Sequence, residues 1–454
     1  MKREAIHQLY EWKEKKGRKP LILQGARQVG KTWLMKAFAE EAFSKHIYIN
    51  FENDARLSRL FENDFDIQRI LFEIQLATGI IPDKDTLLLF DEIQEVKRGV
   101  TALKYFYENA PEIPVIAAGS LLGIATHQND SFPVGKVDFL SVYPLSFFEF
   151  LDATGKGAFV DVVKNRQWNL LDSFESDLCG MLRQYFFVGG MPEVVNSFAE
   201  EGNMQKVREI QRDILAAYDK DFSKHAPIAE VPRLRMVWNS ICAQLSKENK
   251  KFLFGVLKEG ARAKGFELAI EWLKDAGLIY KVNRTKKGLM PLSAYEDFSA
   301  FKLFLLDVGL LGAMCGLPPS ALLSKNAVFT DYKGALTEQY VFQQLRLNKE
   351  NRIYYWSAEN SQGEIDFLVQ NDEKIFPIEV KAEENLQAKS LKFFVSRNPS
   401  LHGIRLSMSP YRTQDWMSNI PLYAVEMEVL KQVLRTVKFF PIVPQSPSSV
   451  SSIQ

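Results

Sequence analysis

The sequence contains a segment whose residue types and spacing suit the binding of phosphate groups. Gly25–Thr32 reads Gly-Ala-Arg-Gln-Val-Gly-Lys-Thr and matches the pattern G-x-x-x-x-G-K-[ST] of phosphate-binding loops. It follows an apolar run, Leu21–Gln24, and opens a helical pattern, Trp33–Ala42, which is the context that the motif requires. Glycines let the backbone wrap closely around phosphates, and the helix N-terminus adds a positive dipole. The segment therefore predicts a site for ATP with Mg²⁺.

Individual roles follow from the chemistry of this loop. Lys31 is expected to reach the β- and γ-phosphates as a catalytic cation, and Thr32 to hold Mg²⁺. The residues expected to contact the nucleotide are Gly25, Ala26, Arg27, Gln28, Val29, Gly30, Lys31, Thr32 and Trp33.

Two carboxylates follow a second apolar run. Thr86–Phe90 reads as a buried strand, and Asp91 and Glu92 emerge at its C-terminal end, where ligands bind in open α/β sheets. Alone, such a pair indicates a solvated acidic turn. Downstream of a full phosphate motif, it predicts that Asp91 holds Mg²⁺ and that Glu92 is the base that polarises the attacking water.

A third apolar run, Val115–Ala118, ends close to Ser120. Ser120 is either a catalytic residue that contacts the γ-phosphate or the water, or part of a plain turn. Hydrolysis also benefits from a cation near the γ-phosphate. Lys136, Arg183 and Lys224 are candidates for this cation, although the sequence favours a surface charge for each of them.

The C-terminal part contains a further set of carboxylates, in two strand patterns joined by a loop at residues 371–374. In period two, one face carries six apolar residues that we expect to be buried: Ile365, Phe367, Val369, Phe376, Ile378 and Val380. The other face carries Glu364, Asp366, Glu379 and Lys381. A symmetric loop places Asp366 opposite Glu379, and like charges that close are unfavourable unless a cation lies between them.

The spacing D-x₁₂-E-x-K resembles the core of PD-(D/E)xK nucleases, with Glu338 on the preceding helix as a further acid. This predicts a second Mg²⁺ site at Glu338, Asp366 and Glu379, with Lys381 orienting or activating water. The alternative is an exposed hairpin face with a Glu364–Lys381 salt bridge. A nuclease-like fold does not establish cleavage.

The elements that must position these groups read as an α/β chain. Strand patterns at residues 46–51, 87–90, 114–118 and 137–142 alternate with helical segments, which favours a parallel sheet covered on both faces. We expect an ATPase core at 1–151, a helical middle at 152–300, a nuclease-like α/β domain at 301–440 and a disordered tail at 441–454.

The middle region has the order helix, turn, helix and hairpin, which is typical of a winged helix. The second helix is expected at 266–276, and the hairpin strands at 278–282 and 289–292, with a basic tip at Arg284, Lys286 and Lys287. The tip either contacts DNA phosphates or is merely solvated while the motif packs between domains. Residues 301–311 and 334–347 read as helices.

Bulk composition narrows the class of protein. A formal net charge of +1 over 454 residues gives no global field toward nucleic acid or membranes, and no apolar stretch is long enough to span a bilayer. The three cysteines, Cys179, Cys242 and Cys315, are few and far apart, which favours buried reduced thiols and a cytoplasmic location.

The chain as a whole resembles a group of bacterial and archaeal AAA-type ATP-binding proteins with a C-terminal domain of unknown function. The resemblance rests on Gly25–Thr32, Leu88–Glu92, Ala118–Leu121, Pro144–Phe150, Gly189–Glu193, Lys302–Gly309 and Glu364–Lys381 in this order. It implies an AAA-type core, a helical or winged-helix middle and a nuclease-like C-terminal fold. That family usually has Gly-Arg at the position of Gly135-Lys136. This chain has lysine instead of arginine there, which argues against an arginine finger at this position.

Two hypotheses for function follow. The first is an ATPase whose nucleotide state moves a nuclease-like domain that acts on nucleic acid or on a DNA-bound partner. The second is a nucleotide-dependent switch that remodels or scaffolds a protein partner, with a non-catalytic C-terminal domain. Both involve ATP and no membrane, and both leave a homo-oligomer open.

Overall fold

The computed structural model describes residues 2–54, 56–119, 133–247, 250–320, 330–358, 363–382 and 387–426. They divide into two compact units. The first unit draws on residues 1–161, 176–282 and 300–343, and the second on residues 162–175, 283–299 and 344–454. The expected tail at 441–454 lies outside the described residues.

The first unit contains a five-stranded parallel sheet. Its strands are β1 (Leu21–Gln24), β2 (Lys45–Asn50), β3 (Thr86–Asp91), β4 (Val115–Ala118) and β5 (Asp138–Ser141). The spatial order is β2-β3-β4-β1-β5, and each neighbouring pair is parallel. All five strands were predicted. Every residue of β3 and β4 is buried, which is why these strands read as continuous apolar runs.

Four helices accompany this sheet: α1 (Ala5–Glu14), α2 (Lys31–Ala42), α3 (Ile67–Thr78) and α4 (Gly99–Asn109). α3 buries Ile67, Ile70 and Ile74, at the spacing of one helix face, and its first turn is capped by the side chain of Asp66. The core beneath includes Phe90, whose ring meets Phe106 edge-on at 5.7 Å between centroids. The apolar faces of the helices therefore bury the sheet, as the pattern predicts.

The middle of the chain is helical. Its helices are α5 (Phe147–Ala153), α6 (Ala158–Lys164), α7 (Trp168–Ser173), α8 (Glu175–Val188), α9 (Pro192–Glu201), α10 (Met204–His225), α11 (Val231–Leu245) and α12 (Glu267–Asp275). Gly277 ends α12 with a positive φ of 72°, and the backbone N–H of Leu278 bonds the carbonyl of Leu273. A glycine with positive φ just after the last turn is a common end of an α-helix.

The winged-helix expectation needs correction in two places. The first helix of the expected motif is a single 3₁₀ turn at Phe254–Val256. The hairpin strands are β6 (Ile279–Thr285) and β7 (Glu296–Leu305), so residues 289–292 are not the second strand and residues 301–305 are not helical. The last six residues of β7 are buried, and a short apolar run buried on both faces has no period that separates strand from helix.

A buried aspartate joins three segments of the first unit. Asp307 caps α13 (Val308–Met314), and its carboxylate also accepts the backbone N–H of Gly190 at 2.6 Å. Burial raises the pKa of Asp307, although its hydrogen bonds oppose the shift. At Gly190 a Cβ would lie 2.2 Å from the carbonyl oxygen of Leu145, so only glycine fits. The Gly-Gly and Asp motifs of the family resemblance thus serve close packing here.

The sheet of the second unit has the order β12-β13-β11-β10-β9-β8 and continues with β6 and β7. Its strands are β8 (Arg352–Ser357), β9 (Glu364–Asn371), β10 (Lys374–Val380), β11 (Gly403–Ser407), β12 (Arg412–Thr413) and β13 (Met417–Pro421), with α14 (Thr330–Leu345) before β8 and α15 (Lys389–Arg397) before β11. The helix predicted at 334–347 and the two predicted hairpin strands, β9 and β10, are confirmed. The six residues predicted to be buried on the hairpin are all buried.

The cysteines depart from the expectation of three reduced thiols. Cys242 and Cys315 form a disulfide, and Cys179 is a buried free cysteine. The two partners lie 73 residues apart, so the pairing could not be inferred from spacing. As to membranes, none of the helices in the described ranges is both long and apolar enough to span one.

Candidate functional site

The phosphate loop turns between β1 and α2. Its backbone takes positive φ values at Gly25 (147°), Gln28 (65°) and Gly30 (91°). A Cβ at Gly25 would lie 2.2 Å from the carbonyl oxygen of Val142, so the first glycine is required by packing as well as by φ. Such successive turns shape an anion-binding concavity at the start of a helix.

Lys31 lies across this concavity. Its Nζ donates to the carbonyl oxygens of Gly25 and Ala26, both at 2.8 Å, and the residue is 7% exposed. Burial lowers the pKa of Lys31 to about 8, although the nearby carboxylates of Glu92 and Asp91 oppose the shift. The ammonium therefore titrates within reach of neutral pH.

Thr32 and Asp91 meet at the mouth of the loop. The Oγ1 of Thr32 donates to Oδ2 of Asp91 at 2.8 Å, and Asp91 is 3% exposed. The same Oδ2 accepts the hydroxyl of Tyr48 at 2.9 Å, while Oδ1 accepts the backbone N–H of Glu92 at 3.1 Å. A hydroxyl and a carboxylate oxygen in contact are the hard ligands that Mg²⁺ prefers, so these residues fit the ion.

Glu92 leaves β3 in a left-handed conformation, with φ 50°. Its side chain is half-buried and accepts a hydrogen bond from Nε2 of Gln94. A non-glycine residue in this conformation marks a backbone that the surroundings dictate, as is common at functional sites. Ser120 lies outside the described residues.

Side chains from distant parts of the first unit hold the loop from behind. Nη1 of Arg3 donates to the carbonyl of Val29 at 3.0 Å, and Nε of Arg3 pairs with Glu149 at 3.0 Å. The hydroxyl of Tyr218 donates to the carbonyl of Arg27 at 2.8 Å. Burial raises the pKa of Tyr218, so it acts as a neutral donor.

These contacts were missed from the sequence, because Arg3 and Glu149 are 146 residues apart. A partial signal existed at Glu149: Ser146 and Glu149 have the S-x-x-E spacing of a capping box and form one at the start of α5.

The other predicted nucleotide contacts occupy varied environments. Ala26 and Val29 are buried, so their backbones rather than their side chains line the loop. The guanidinium of Arg27 pairs with Asp221. Trp33 is 47% exposed. Of the candidate cations, Lys136 pairs with Glu108 at 3.0 Å.

The C-terminal hairpin has the predicted register. Ile378 lies opposite Phe367 in the last pair of this ladder, and Glu379 and Asp366 are the next residues along the two strands. Oδ2 of Asp366 accepts the backbone N–H of Val380 at 2.7 Å. Lys381 pairs with Glu379 at 2.8 Å, not with Glu364 as the alternative expected. The loop is also shorter than expected, since Lys374 already pairs with Asn371.

Glu338 has its own partners in the first unit. It is buried, forms an ion pair with Lys250, and lies 3.7 Å from Nζ of Lys302. Burial raises its pKa, but the two lysines outweigh this effect and the pKa of Glu338 is lowered. Its role as a metal ligand stays a prediction. Among the described residues, no group of three or more histidine, cysteine or acidic side chains is arranged to hold a metal ion.

The basic hairpin tip is partly neutralised. Nε of Arg284 donates to Oδ2 of Asp297 at 3.0 Å. The hydrogen bond from Ser299 and, to a smaller extent, the one from Arg284 lower the pKa of Asp297 to about 2. Lys287 lies over the ring of Tyr295 at 5.2 Å. Arg284 is thus engaged within its own hairpin.

Three models of protein families match this chain. The model described as an AAA domain matches residues 17–151. Two described as domains of unknown function, DUF8612 and DUF4143, match residues 180–321 and 333–425. A comparison with curated proteins found no match.

Solved structures with similarity include two archaeal proteins. The Walker-type ATPase PABY2304 of Pyrococcus abyssi is 16% identical with a TM-score of 0.43, over 68% of this chain and 94% of that one. The ORC1 protein of Aeropyrum pernix, solved in complex with DNA, is 15% identical with a TM-score of 0.30, over 70% of this chain and 92% of that one.

Residues 17–151 thus match a model described as an AAA domain and contain a parallel sheet with a phosphate loop, the features of the class of AAA-type P-loop domains. Nucleotide binding, typically with Mg²⁺, is implied by that class. The two further matched domains carry no stated activity.

Proposed function

We propose that the chain binds ATP with Mg²⁺ through Gly25–Thr32 and Asp91 and hydrolyses it with Glu92 as the base. The observation that carries this proposal is the contact of 2.8 Å between Thr32 and Asp91 at the mouth of a glycine-bounded loop. Two metal-binding oxygens from separate chain segments meet where the loop presents Lys31.

Each residue has a distinct task in this proposal. The loop backbone and Lys31 bind the phosphates, and Thr32 and Asp91 hold the ion, which supplies charge neutralisation when it is bound. Glu92 accepts a proton from the attacking water. Ser120 contacts the γ-phosphate or the water, and Trp33 lines the nucleotide.

Equilibrium binding of labelled ATP tests the proposal. Lys31→Ala removes the ammonium that faces the phosphates, and we expect nucleotide affinity to fall by at least about tenfold. Lys16→Ala removes an exposed lysine from the same domain and should leave affinity unchanged. Retention of labelled ATP to the same extent by both variants contradicts the proposal.

We further propose that nucleotide state is coupled to a nuclease-like C-terminal domain that acts on nucleic acid or on a DNA-bound partner. The supporting observations are the hairpin register, in which Asp366 and Glu379 directly follow the last pair of Phe367 and Ile378, and the ion pair of Lys381 with Glu379. Two carboxylates and a lysine are the groups used in metal-assisted phosphodiester hydrolysis.

Cleavage assays separate the two activities. Asp366→Ala should abolish Mg²⁺-dependent cleavage of DNA, whereas Lys31→Ala should keep it. Glu373→Ala, at the exposed turn of the same hairpin, is the matched control. No Mn²⁺ binding at Asp366 and Glu379 would rule out the nuclease half.

The second candidate is a nucleotide-dependent switch with a non-catalytic C-terminal domain. It is favoured by the engagement of Glu338 with Lys250 and of Glu379 with Lys381, since both carboxylates already have cationic partners. It predicts ATP turnover without cleavage and without stimulation by DNA. The rate of ATP hydrolysis with and without DNA therefore discriminates between a DNA partner and a protein partner. A cytoplasmic location is part of either proposal, and neither excludes a homo-oligomer.

A further inference from the structure

Tyr48 reaches the proposed metal site from the strand next to the acidic one. β2 and β3 are parallel and in register, with Asn50 opposite Asp91. Tyr48 lies two residues before the end of β2, and its hydroxyl donates to Oδ2 of Asp91 at 2.9 Å. No motif in the sequence singles out this tyrosine, because its contact depends on the strand order.

The carboxylate of Asp91 is held from three directions. Thr32 and Tyr48 both donate to Oδ2, and the backbone N–H of Glu92 donates to Oδ1. A threonine that ligates a cation through a lone pair of its oxygen keeps its O–H as a donor to Asp91. The hydroxyl of Tyr48 is a second side-chain donor to Oδ2, and it comes from a different strand.

The ring of Tyr48 is itself braced. The ammonium of Lys36 lies 3.7 Å from the ring centroid, and Nδ2 of Asn50 lies 3.5 Å from the hydroxyl oxygen. Lys36 belongs to α2, the helix that also carries Lys31 and Thr32. A cation over an aromatic face is attractive, so α2 and β2 together set the position of the hydroxyl.

We propose that Tyr48 is a positioning residue that orients Asp91 toward the divalent cation accompanying the nucleotide. This inference rests on the proposed ATP site and adds a residue to it. Groups that hydrogen-bond a metal ligand typically alter metal affinity by about 10–100-fold when they are removed. Loss of the Tyr48 hydroxyl should therefore weaken the affinity for Mg²⁺ and leave the affinity of the loop for the phosphates unchanged.

Titration of Mg²⁺ against binding of a fluorescent ATP analogue tests the inference. In Tyr48→Phe, which keeps the ring and removes the hydroxyl, we expect the half-saturating Mg²⁺ concentration to rise about tenfold. Affinity for the analogue in excess chelator should stay within about twofold, because the loop and Lys31 are untouched. The thermal midpoint checks that the variant is folded.

Two further variants sharpen the test. Tyr105→Phe alters a tyrosine of α4 that stacks on Phe65 and should leave the Mg²⁺ midpoint unchanged. Lys36→Met removes the brace over the ring and should shift the midpoint in the same direction by about two- to fivefold. This second shift does not depend on any change to Tyr48 itself.

The outcomes separate this inference from the proposed function. If the unaltered protein binds the analogue and Tyr48→Phe has the same Mg²⁺ midpoint, the inference is overturned and the ATP site stands. If Tyr48→Phe also lowers the affinity for the analogue in excess chelator about tenfold, Tyr48 supports the phosphate loop as a whole. The inference is then wrong as well. Failure of the unaltered protein to bind the analogue overturns both.

Discussion

Each compact unit places an acidic group at a strand where the sequence predicts a cation, and the surroundings of the two differ. In the first unit, Asp91 accepts hydroxyl groups from Thr32 and Tyr48. In the second unit, Asp366 accepts a backbone N–H, and Glu379 is paired with Lys381. Hydroxyl oxygens can become metal ligands, whereas an ammonium competes with a metal ion for the carboxylate.

The difference follows from how each site is assembled. In the phosphate site, the loop joins β1 directly to α2, and only β4 separates β1 from β3 in the parallel sheet. The predicted C-terminal site includes a further carboxylate, Glu338, from a helix. In the structure Glu338 forms an ion pair with Lys250. Local motifs are thus more dependable guides to a site than sets gathered from distant elements.

The largest expected effect concerns catalysis in the first unit. Glu92→Gln keeps the size of the side chain and removes the proposed base, so kcat for ATP hydrolysis should fall by about 10²–10⁴-fold. Nucleotide affinity should be unchanged. Phosphate release and nucleotide binding measure the two quantities.

Glu95→Gln, an exposed residue of the same turn, is the control and should hydrolyse ATP normally. Equal turnover by both variants would show that Glu92 is not the base. The acidic end of β3 would then differ no more from an ordinary acidic turn than the acidic group of the second unit does.

The next effect concerns the ion pair behind the phosphate loop. In Arg3→Met the buried carboxylate of Glu149 loses its cation, and the free energy of unfolding should fall by about 3–5 kcal/mol. The side chains of Arg3 and Glu149 are only 4% and 8% exposed. Urea unfolding followed by circular dichroism gives the value.

Lys15→Met removes a more exposed pair with Asp138 and should cost at most about 1 kcal/mol. Losses of the same size in both variants would show that burial of the Arg3 pair does not matter.

The disulfide gives a third, smaller effect in the first unit. Reduction of the Cys242–Cys315 bond releases a constraint on the unfolded chain and should lower stability by about 2–4 kcal/mol. Thermal unfolding with and without reductant measures it. A Cys242→Ser, Cys315→Ser variant should not respond to reductant. Alkylation of the denatured, unreduced protein should label Cys179 alone; labelling of all three cysteines contradicts the bond.

The smallest effect is a pH dependence of nucleotide binding. The pKa of Lys31 is lowered to about 8, so its ammonium is present below pH 8 and is lost as the pH rises above that value. Phosphates bind the charged form, and affinity should therefore be full at pH 7 and about tenfold weaker at pH 9. Fluorescence titrations at the two pH values measure this change.

In Lys31→Arg the guanidinium stays charged over this range, so the same comparison should be flat. A tenfold loss that persists in this variant would assign the pH dependence to another group.

Much of the ATPase sheet was predictable because its strands are short apolar runs between amphipathic helices. The register of the C-terminal hairpin was predictable for a similar reason: alternation in period two at Ile365 and Phe367 fixes which face is buried. At β7 this reasoning failed, and a helix was predicted at 301–311. Phe301–Leu305 is buried on both faces, so its apolar residues do not alternate with polar ones.

The candidate site divides in the same way. The roles of Lys31, Thr32 and Asp91 come from one contiguous motif and one strand end, and the structure brings the last two into contact. Arg3, Tyr48 and Tyr218 could not be predicted, because each reaches the site from a segment whose place is set by strand order or helix packing.

The amino-acid sequence alone determined the phosphate loop, the acidic strand end, the five parallel strands and the buried face of the C-terminal hairpin. These depend on local conformation and on periodicity over a few residues. Only the tertiary structure decided which lysine pairs with Glu338, which cysteines are joined and which tyrosine hydroxyl donates to Asp91. Such contacts join residues far apart in the chain, and their distances follow from packing rather than from spacing.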